Sequence, residues 1–222
     1  MINIHTYRCI DYLENSYLVY DNEGNACLID PGFYYEHERI AVDSAIRFLN
    51  LRVENVLLTH AHIDHVLGCS WAMKKYQTPV CIHSKDLPAL KKMPLYASTL
   101  GYEMEALPER FHVLGTDDEI VVGNIRFRVF HMPGHTVGSA AFFVEDEKVL
   151  FSGDILYHND IGRTDLPGGD ASVLAKSIAG IFAMSNDIKL LPGHGPETTI
   201  GYENQFNRKA AEAVKSTQEQ YA

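Results

Sequence analysis

Strand-like spacing of apolar, aromatic and β-branched residues opens the chain: stretches 2–9, 16–21 and 26–30 predict antiparallel strands, the last two joined by a turn at Asp21-Asn22-Glu23-Gly24-Asn25. Asp30-Pro31-Gly32 ends this meander, and helical spacing follows over 36–49, with Ile40, Ala41, Ile46 and Leu49 expected toward the core. The run Val56-Leu57-Leu58 reads as a buried strand, 66–76 as a helix and 79–83 as a short strand. Over 84–110, Pro88, Pro94, Gly101 and Pro108 argue against any long helix, so short helices and a loop bordering a pocket are expected. Strand spacing returns over 120–130 around Gly123-Asn124, then at 140–144 and 148–152 as a hairpin across Glu145-Asp146-Glu147. The stretch 154–170 is irregular and glycine-rich, 170–184 reads as a helix capped by Asp170, 188–191 as a strand and 201–221 as a polar helix. Helices interspersed among largely antiparallel strands predict a two-sheet α/β (α+β) core with helices on its outer faces.

Composition narrows the function classes. A chain of 222 residues, 46% hydrophobic and 22% charged, can bury a sizeable core, as one domain or one domain with a small appendage. Its formal charge of -10 argues against nucleic acid as a partner and favours a small-molecule substrate. No apolar run suggests a membrane span and the N-terminus has no signal core, so a cytoplasmic location is expected. Cys9, Cys27, Cys69 and Cys81 are widely separated among apolar residues and are expected to be reduced, buried and structural.

The densest chemistry lies in His60-Ala61-His62-Ile63-Asp64-His65, directly after the buried strand. On extended backbone His60 and His62 project to one side and can reach one cation, while Asp64 and His65, at the turn into the next helix, can face a second. Taken alone, this could still be a surface loop with Asp64 as an N-cap. Further candidates stand where later strands end: His135 after Met132-Pro133-Gly134, Asp154 after Ser152-Gly153, and His194 between Gly193 and Gly195. Each of these three alone could be plain turn chemistry; together with the first motif they point to one rim built by a rigid scaffold.

The motif His60-x-His62-x-Asp64-His65, with His135 in Pro-Gly-His-Thr-x-Gly-Ser, Asp154 in Ser-Gly-Asp and His194 in Pro-Gly-His-Gly, resembles the metallo-β-lactamase fold superfamily and, within it, the glyoxalase II group of hydroxyacylglutathione hydrolases. The resemblance implies a single domain over 1–222, folded as a four-layer αββα sandwich of two mixed β-sheets flanked by helices. It assigns His60, His62 and His135 to one metal, Asp64, His65 and His194 to another, and Asp154 to both. Two divalent ions are implied, zinc first, with iron or manganese as the alternatives that the same donors accept. Asp64 and Asp154 are the expected catalytic carboxylates, and Asp30 is given an orienting role. The long glyoxalase II enzymes carry a C-terminal helical domain for glutathione; the resemblance here is to a short form without it.

Two cations sharing a water lower its pKa toward about 7, so hydroxide is available to attack a thioester carbonyl, and the thiolate leaves without a strong general acid. Arg163, in Ile161-Gly162-Arg163-Thr164-Asp165, is the candidate for a substrate carboxylate, with pairing to Asp165 or Asp170 an equal alternative. Tyr157, and His158 beside it, lie nearer Asp154 and are candidates for lining the substrate pocket, with a place on an exposed loop the favoured alternative for each. His5, His37, His83, His112 and His131 have no ligating spacing. The closest rival is a mononuclear iron persulfide dioxygenase of the same superfamily, using the equivalents of His60, His135 and Asp154; a hydrolase of lactones or other esters comes next. The acyl group, the thiol carrier and the oligomeric state are left open.

Overall fold

The computed structural model describes residues 1–219. Its first sheet contains β1 (Asn3–Arg8), β2 (Asn15–Tyr20), β3 (Asn25–Ile29), β4 (Arg52–Leu57), β5 (Val80–His83) and β6 (Phe111–Leu114), side by side in that order. The first two pairings are antiparallel and the other three parallel. The second sheet takes β7 (Glu119–Val122), β8 (Ile125–His131), β9 (Ala140–Val144) and β10 (Val149–Gly153). A small hairpin, β11 (Leu156–Tyr157) and β12 (Asp160–Ile161), lies outside it. The chain then returns through β13 (Lys189–Pro192) and β14 (Thr198–Thr199), giving the order β14-β13-β10-β9-β8-β7. Only β10 and β13 pair in parallel.

Side-chain alternation sorts each central strand between two cores. Tyr17, Val19, Cys27, Ile29 and Leu57 meet Phe127, Phe142 and Phe151 between the sheets. The intervening Leu18, Leu28 and Val56 pack outward under α1 (Glu36–Phe48), α2 (Ile63–Val66), α3 (Cys69–Tyr76) and α4 (Leu87–Thr99). On the far side Phe143, Leu150 and Leu190 pack against α5 (Ala171–Phe182), α6 (Ile200–Phe206) and α7 (Arg208–Glu219). Strands buried on both faces read as nearly continuous apolar runs, which is why 26–30 and 140–144 show so few polar positions. The result is the expected four-layer arrangement of two mixed sheets between helices.

Several local expectations change. In α1 the buried residues are Val42 and Ile46, whereas Ile40 is 56% exposed and Ala41 is exposed. At about 100° per residue, positions two and one before Val42 turn away from the stripe that meets the sheet. The stretch 84–110 contains a 13-residue helix, α4, despite its prolines. Pro88 falls in the first turn, where its missing N–H is not needed, and the lost bond at Pro94 is outweighed by burial of Leu90, Met93 and Ala97. The predicted helix over 66–76 is two helices, because the backbone at Gly68 donates to Pro31 O at 2.8 Å; a Cβ there would meet the same oxygen at 2.8 Å.

The expected helix over 201–221 is also divided, and residues 220–222 lie outside the described part. Asn207 is extended between α6 and α7. Its buried amide donates to Tyr157 O, Asp160 O and Glu203 Oε2, fixing the β11–β12 hairpin to the helices. Strand β6 and the small hairpin were not foreseen. All four cysteines are free and buried. Among the described residues no helix is long and apolar enough to cross a membrane.

Candidate metal centre

Strand direction brings the chemistry to one edge. β3 and β4 run in parallel, as do β10 and β13, and β8 shares the direction of β10 because both are antiparallel to β9. Asp30, the 60–65 loop, His135, Asp154 and His194 therefore all follow strand ends at the same rim. The seam between the sheets is closed there by Ala140 N donating to Thr59 O at 2.8 Å.

Two triads of donor atoms gather on this seam: His60, His62 and His135, and Asp64, His65 and His194, with the donors of each triad within 4.8 Å of one another. His60 Nε2 and His135 Nε2 are 3.2 Å apart. Asp154 stands between the triads, with Oδ1 3.3 Å from His65 Nε2 and Oδ2 3.5 Å from His135 Nε2 and 3.6 Å from His194 Nε2. Asp64 Oδ2 lies 3.2 Å from His194 Nε2. The glycine before His194 is required by space, since a Cβ on Gly193 would come within 2.1 Å of Asp154 Oδ1.

Each ring is oriented from behind. Thr59 donates to Asp30 through its amide, at 2.7 Å, and through its hydroxyl, at 2.6 Å. The same hydroxyl oxygen accepts from His60 Nδ1 at 3.0 Å, and His65 Nδ1 donates to Asp30 Oδ2 at 3.0 Å. His135 Nδ1 donates to the carbonyl of Arg163 at 2.7 Å. With Nδ1 so engaged, Nε2 of all three rings is turned to the seam, the arrangement that ligating histidines use. Asp30 holds this post from the left-handed region at φ 47°.

The electrostatics suit cations. Burial pushes His60, His62 and His135 down, His62 to about 4, so these imidazoles are neutral, as ligation requires. At His65 burial opposes protonation, but the carboxylates of Asp154, Asp64 and Asp30 outweigh it and favour positive charge at that point. Asp154 is buried, which alone would raise it, yet His65 and the neighbouring histidines hold it well below the usual carboxylate range. His65 Nε2 and Asp154 Oδ1 are buried without a hydrogen-bond partner, although they face each other. Unpartnered donors of this kind, in nitrogen and oxygen triads flanking one carboxylate, fit a pair of divalent ions.

A cavity of about 450 Å³ opens over the triads and is lined by Tyr12, Tyr157, Ile161, Arg163 and Leu166 among others. Tyr157 is half-buried; burial and then the Asp154 carboxylate push its phenol up, so it keeps its proton. The Arg163 guanidinium is exposed and donates to both oxygens of Asp165, each at 2.7 Å. The contact that Arg163 makes with the site is through its backbone carbonyl. His158 turns away, stacks on Tyr202 and lies 3.3 Å from Glu203.

Two acidic residues were missed by reading the sequence. Asp86 accepts from Ala61 N at 3.0 Å, Thr136 Oγ1 at 2.8 Å and Gly138 N at 2.7 Å, tying the 60–65 loop to the loop carrying His135. Glu14 is wholly buried, 3.9 Å from His65 Nδ1, and burial drives its carboxyl up. Beside it, Asn15 Nδ2 donates to Pro192 O and Gly195 O on either side of His194. Nothing near these residues in sequence announces partners so far along the chain.

Known proteins share this fold. The sequence profile of the Metallo-beta-lactamase superfamily matches residues 10–214. The chain is 36% identical over 212 residues to the hydroxyacylglutathione hydrolase GloC of Haemophilus influenzae, covering 93% of this chain and 97% of that protein. Among solved structures, the B3 metallo-beta-lactamase BLEG-1 superposes with a TM-score of 0.84 at 32% identity, over 94% of this chain and 98% of that one. TTHA1623, in a di-iron-bound form, gives a TM-score of 0.81 at 34% identity, over 92% and 98%. With its two mixed sheets, its donor triads on the seam and these relatives, the chain belongs to the metallo-β-lactamase superfamily.

Proposed function

We propose that the protein is a metal-dependent hydrolase of thioesters, of the kind that cleaves hydroxyacyl groups from a thiol carrier such as glutathione. The convergence of both triads on Asp154 at the floor of one cavity carries this reading. His60, His62 and His135 would hold one ion, Asp64, His65 and His194 the other, and Asp154 both. Likeness to GloC favours the thioester, and the di-iron form of TTHA1623 keeps iron beside zinc among the candidate metals. Bound divalent ions lower the pKa of a shared water to about 7 and draw electron density from a carbonyl oxygen.

The chain's own residues supply the rest. The backs of His60, His65 and His135 are fixed by Thr59, Asp30 and the Arg163 carbonyl, so the Nε2 atoms need no rearrangement when substrate arrives. Asp64, at the cavity wall and depressed by His65 and His194 despite its burial, is ionised at neutral pH and placed to accept a proton from the attacking water. Tyr157, still protonated, offers an O–H donor beside His194 in the same cavity. In the reaction a C–O bond forms to the acyl carbon and the C–S bond breaks. The water proton goes to the carboxylate, and the thiolate leaves without needing an acid.

Asp154→Asn preserves shape and removes the charge between the two proposed ions. We expect weaker binding of the second ion and a loss of turnover of about two to three orders of magnitude, about 2.7–4 kcal/mol, by analogy with deleting one group that stabilises developing charge. Metal analysis together with thioester cleavage checks this. Both ions retained with near-normal turnover would remove Asp154 from its bridging role. A single iron with oxygen uptake would replace the hydrolase with the dioxygenase reading.

A further inference from the structure

A second concavity, of about 530 Å³, adjoins the metal cavity between α4 and the loops at 136–137 and 166–167. Its walls are mainly apolar, formed by Ala61, Met93, Leu95, Tyr96, Val137 and Leu166. Leu95 is 75% exposed, Tyr96 49% and Val137 48%, so large apolar side chains crowd this surface, uncovered by the described residues. His62, Tyr96 and Leu166 line both concavities, which makes the groove an extension of the metal cavity. Its volume falls within the range of small-ligand pockets, roughly 300–1,000 Å³.

The polar groups of the groove argue about its occupant. Asp86 and Thr136 are bonded to each other and to neighbouring backbone or Ser139, and Thr99 Oγ1 donates to Tyr96 O, so none of the three is free to recognise an amide-rich ligand, while Lys92 stands exposed at the outer wall. Tyr12 and Tyr157 line the metal cavity and not the groove. A substrate whose carbonyl sits over the triads thus has a polar side for its thiol carrier and an apolar side for its acyl group. We infer that the groove between α4 and Val137 binds the acyl chain of the substrate, and that the preferred acyl group is an extended apolar one. Which arm of the substrate enters rests on the thioester reading above. The groove itself is tested without turnover.

The probe is the series of straight-chain carboxylates from acetate to decanoate, titrated by calorimetry into metal-loaded protein. Their carboxylates can reach the triads and their chains the groove. Affinity is expected to rise by about two- to four-fold per methylene until the groove is filled, given the usual gain from burying a CH₂. Leu95→Glu and Val137→Glu, both at exposed positions, should flatten that rise while acetate binding serves as the reference within each variant. Equal affinity along the series in the unaltered protein would overturn the inference, whatever the enzyme hydrolyses. So would a self-associated protein, followed by light scattering, that Leu95→Glu dissociates with no chain-length dependence, since the face would then belong to a second copy. If the carboxylate series shows the rise but no thioester bearing the same acyl chains is cleaved, the groove stands and the thioester reading falls.

Discussion

His83 closes β5 with its ring stacked on that of His131, the centroids 4.0 Å apart and the interplanar angle 3°. Burial first, then His131 and Lys85, lower its pKa to about 4, with Asp118 opposing. The fold therefore favours neutral His83. Its contribution is complete above the unfolded value near 6.5 and is lost as pH falls from there toward about 4. Urea unfolding of His83→Gln should lose correspondingly less stability than the unaltered chain between neutral pH and pH near 4. Identical losses would show that His83 is charged at little expense. In the site, His60, His62, Asp64 and His65 declare themselves by spacing, and Gly193 by its place beside a donor. Asn15 could not, because the carbonyl it holds is 177 positions away.

At the level of elements, alternation located most strands because buried pairs of sheets leave few choices of register. It failed where helices depend on contacts outside themselves. The prolines of α4 are tolerated only because Leu90, Met93 and Ala97 are buried, and Gly68 divides α2 from α3 because Pro31 occupies the space. The turn at 21–25 was foreseen as a turn but not as a clasp. Asp21 accepts from Glu23 N and Asn25 N within that turn, and from Asn124 N and Nδ2 in the hairpin of the other sheet. Burial would raise its carboxyl, but these donors with Asn25 Nδ2 outweigh it and bring it to about 2. Gly123, at φ 54°, leaves the room, since a Cβ there would lie 2.2 Å from Asn25 Nδ2. Asp21→Ala strands several donors at once and should cost about 2–4 kcal/mol in denaturant unfolding. Metal content should stay unchanged, because Asp21 follows the end of β2 opposite to the centre. A loss below half a kcal/mol would mean that water replaces the clasp.

For the whole molecule, the layered architecture followed from the order of elements, and the site from where strands end. The two sheets meet along a seam whose donors come from both, so ions bound there would join the two halves. Removing them with a chelator should raise amide exchange first in the loops at 59–65, 132–139 and 192–195, with the hairpin tips around Asp21 and Asn124 keeping their protection. Uniform loss of protection in both places would argue for global rather than local opening.

That asymmetry returns to β2, a strand of six residues. At one end Asn15 and Tyr17 bond to the loop that carries His194; at the other, Asp21 reaches the opposing hairpin. It is a tie rod anchored in the other sheet at both ends. Freed at the metal end, the plates could swing about the distant anchor as about a hinge, opening the rim without sliding out of register.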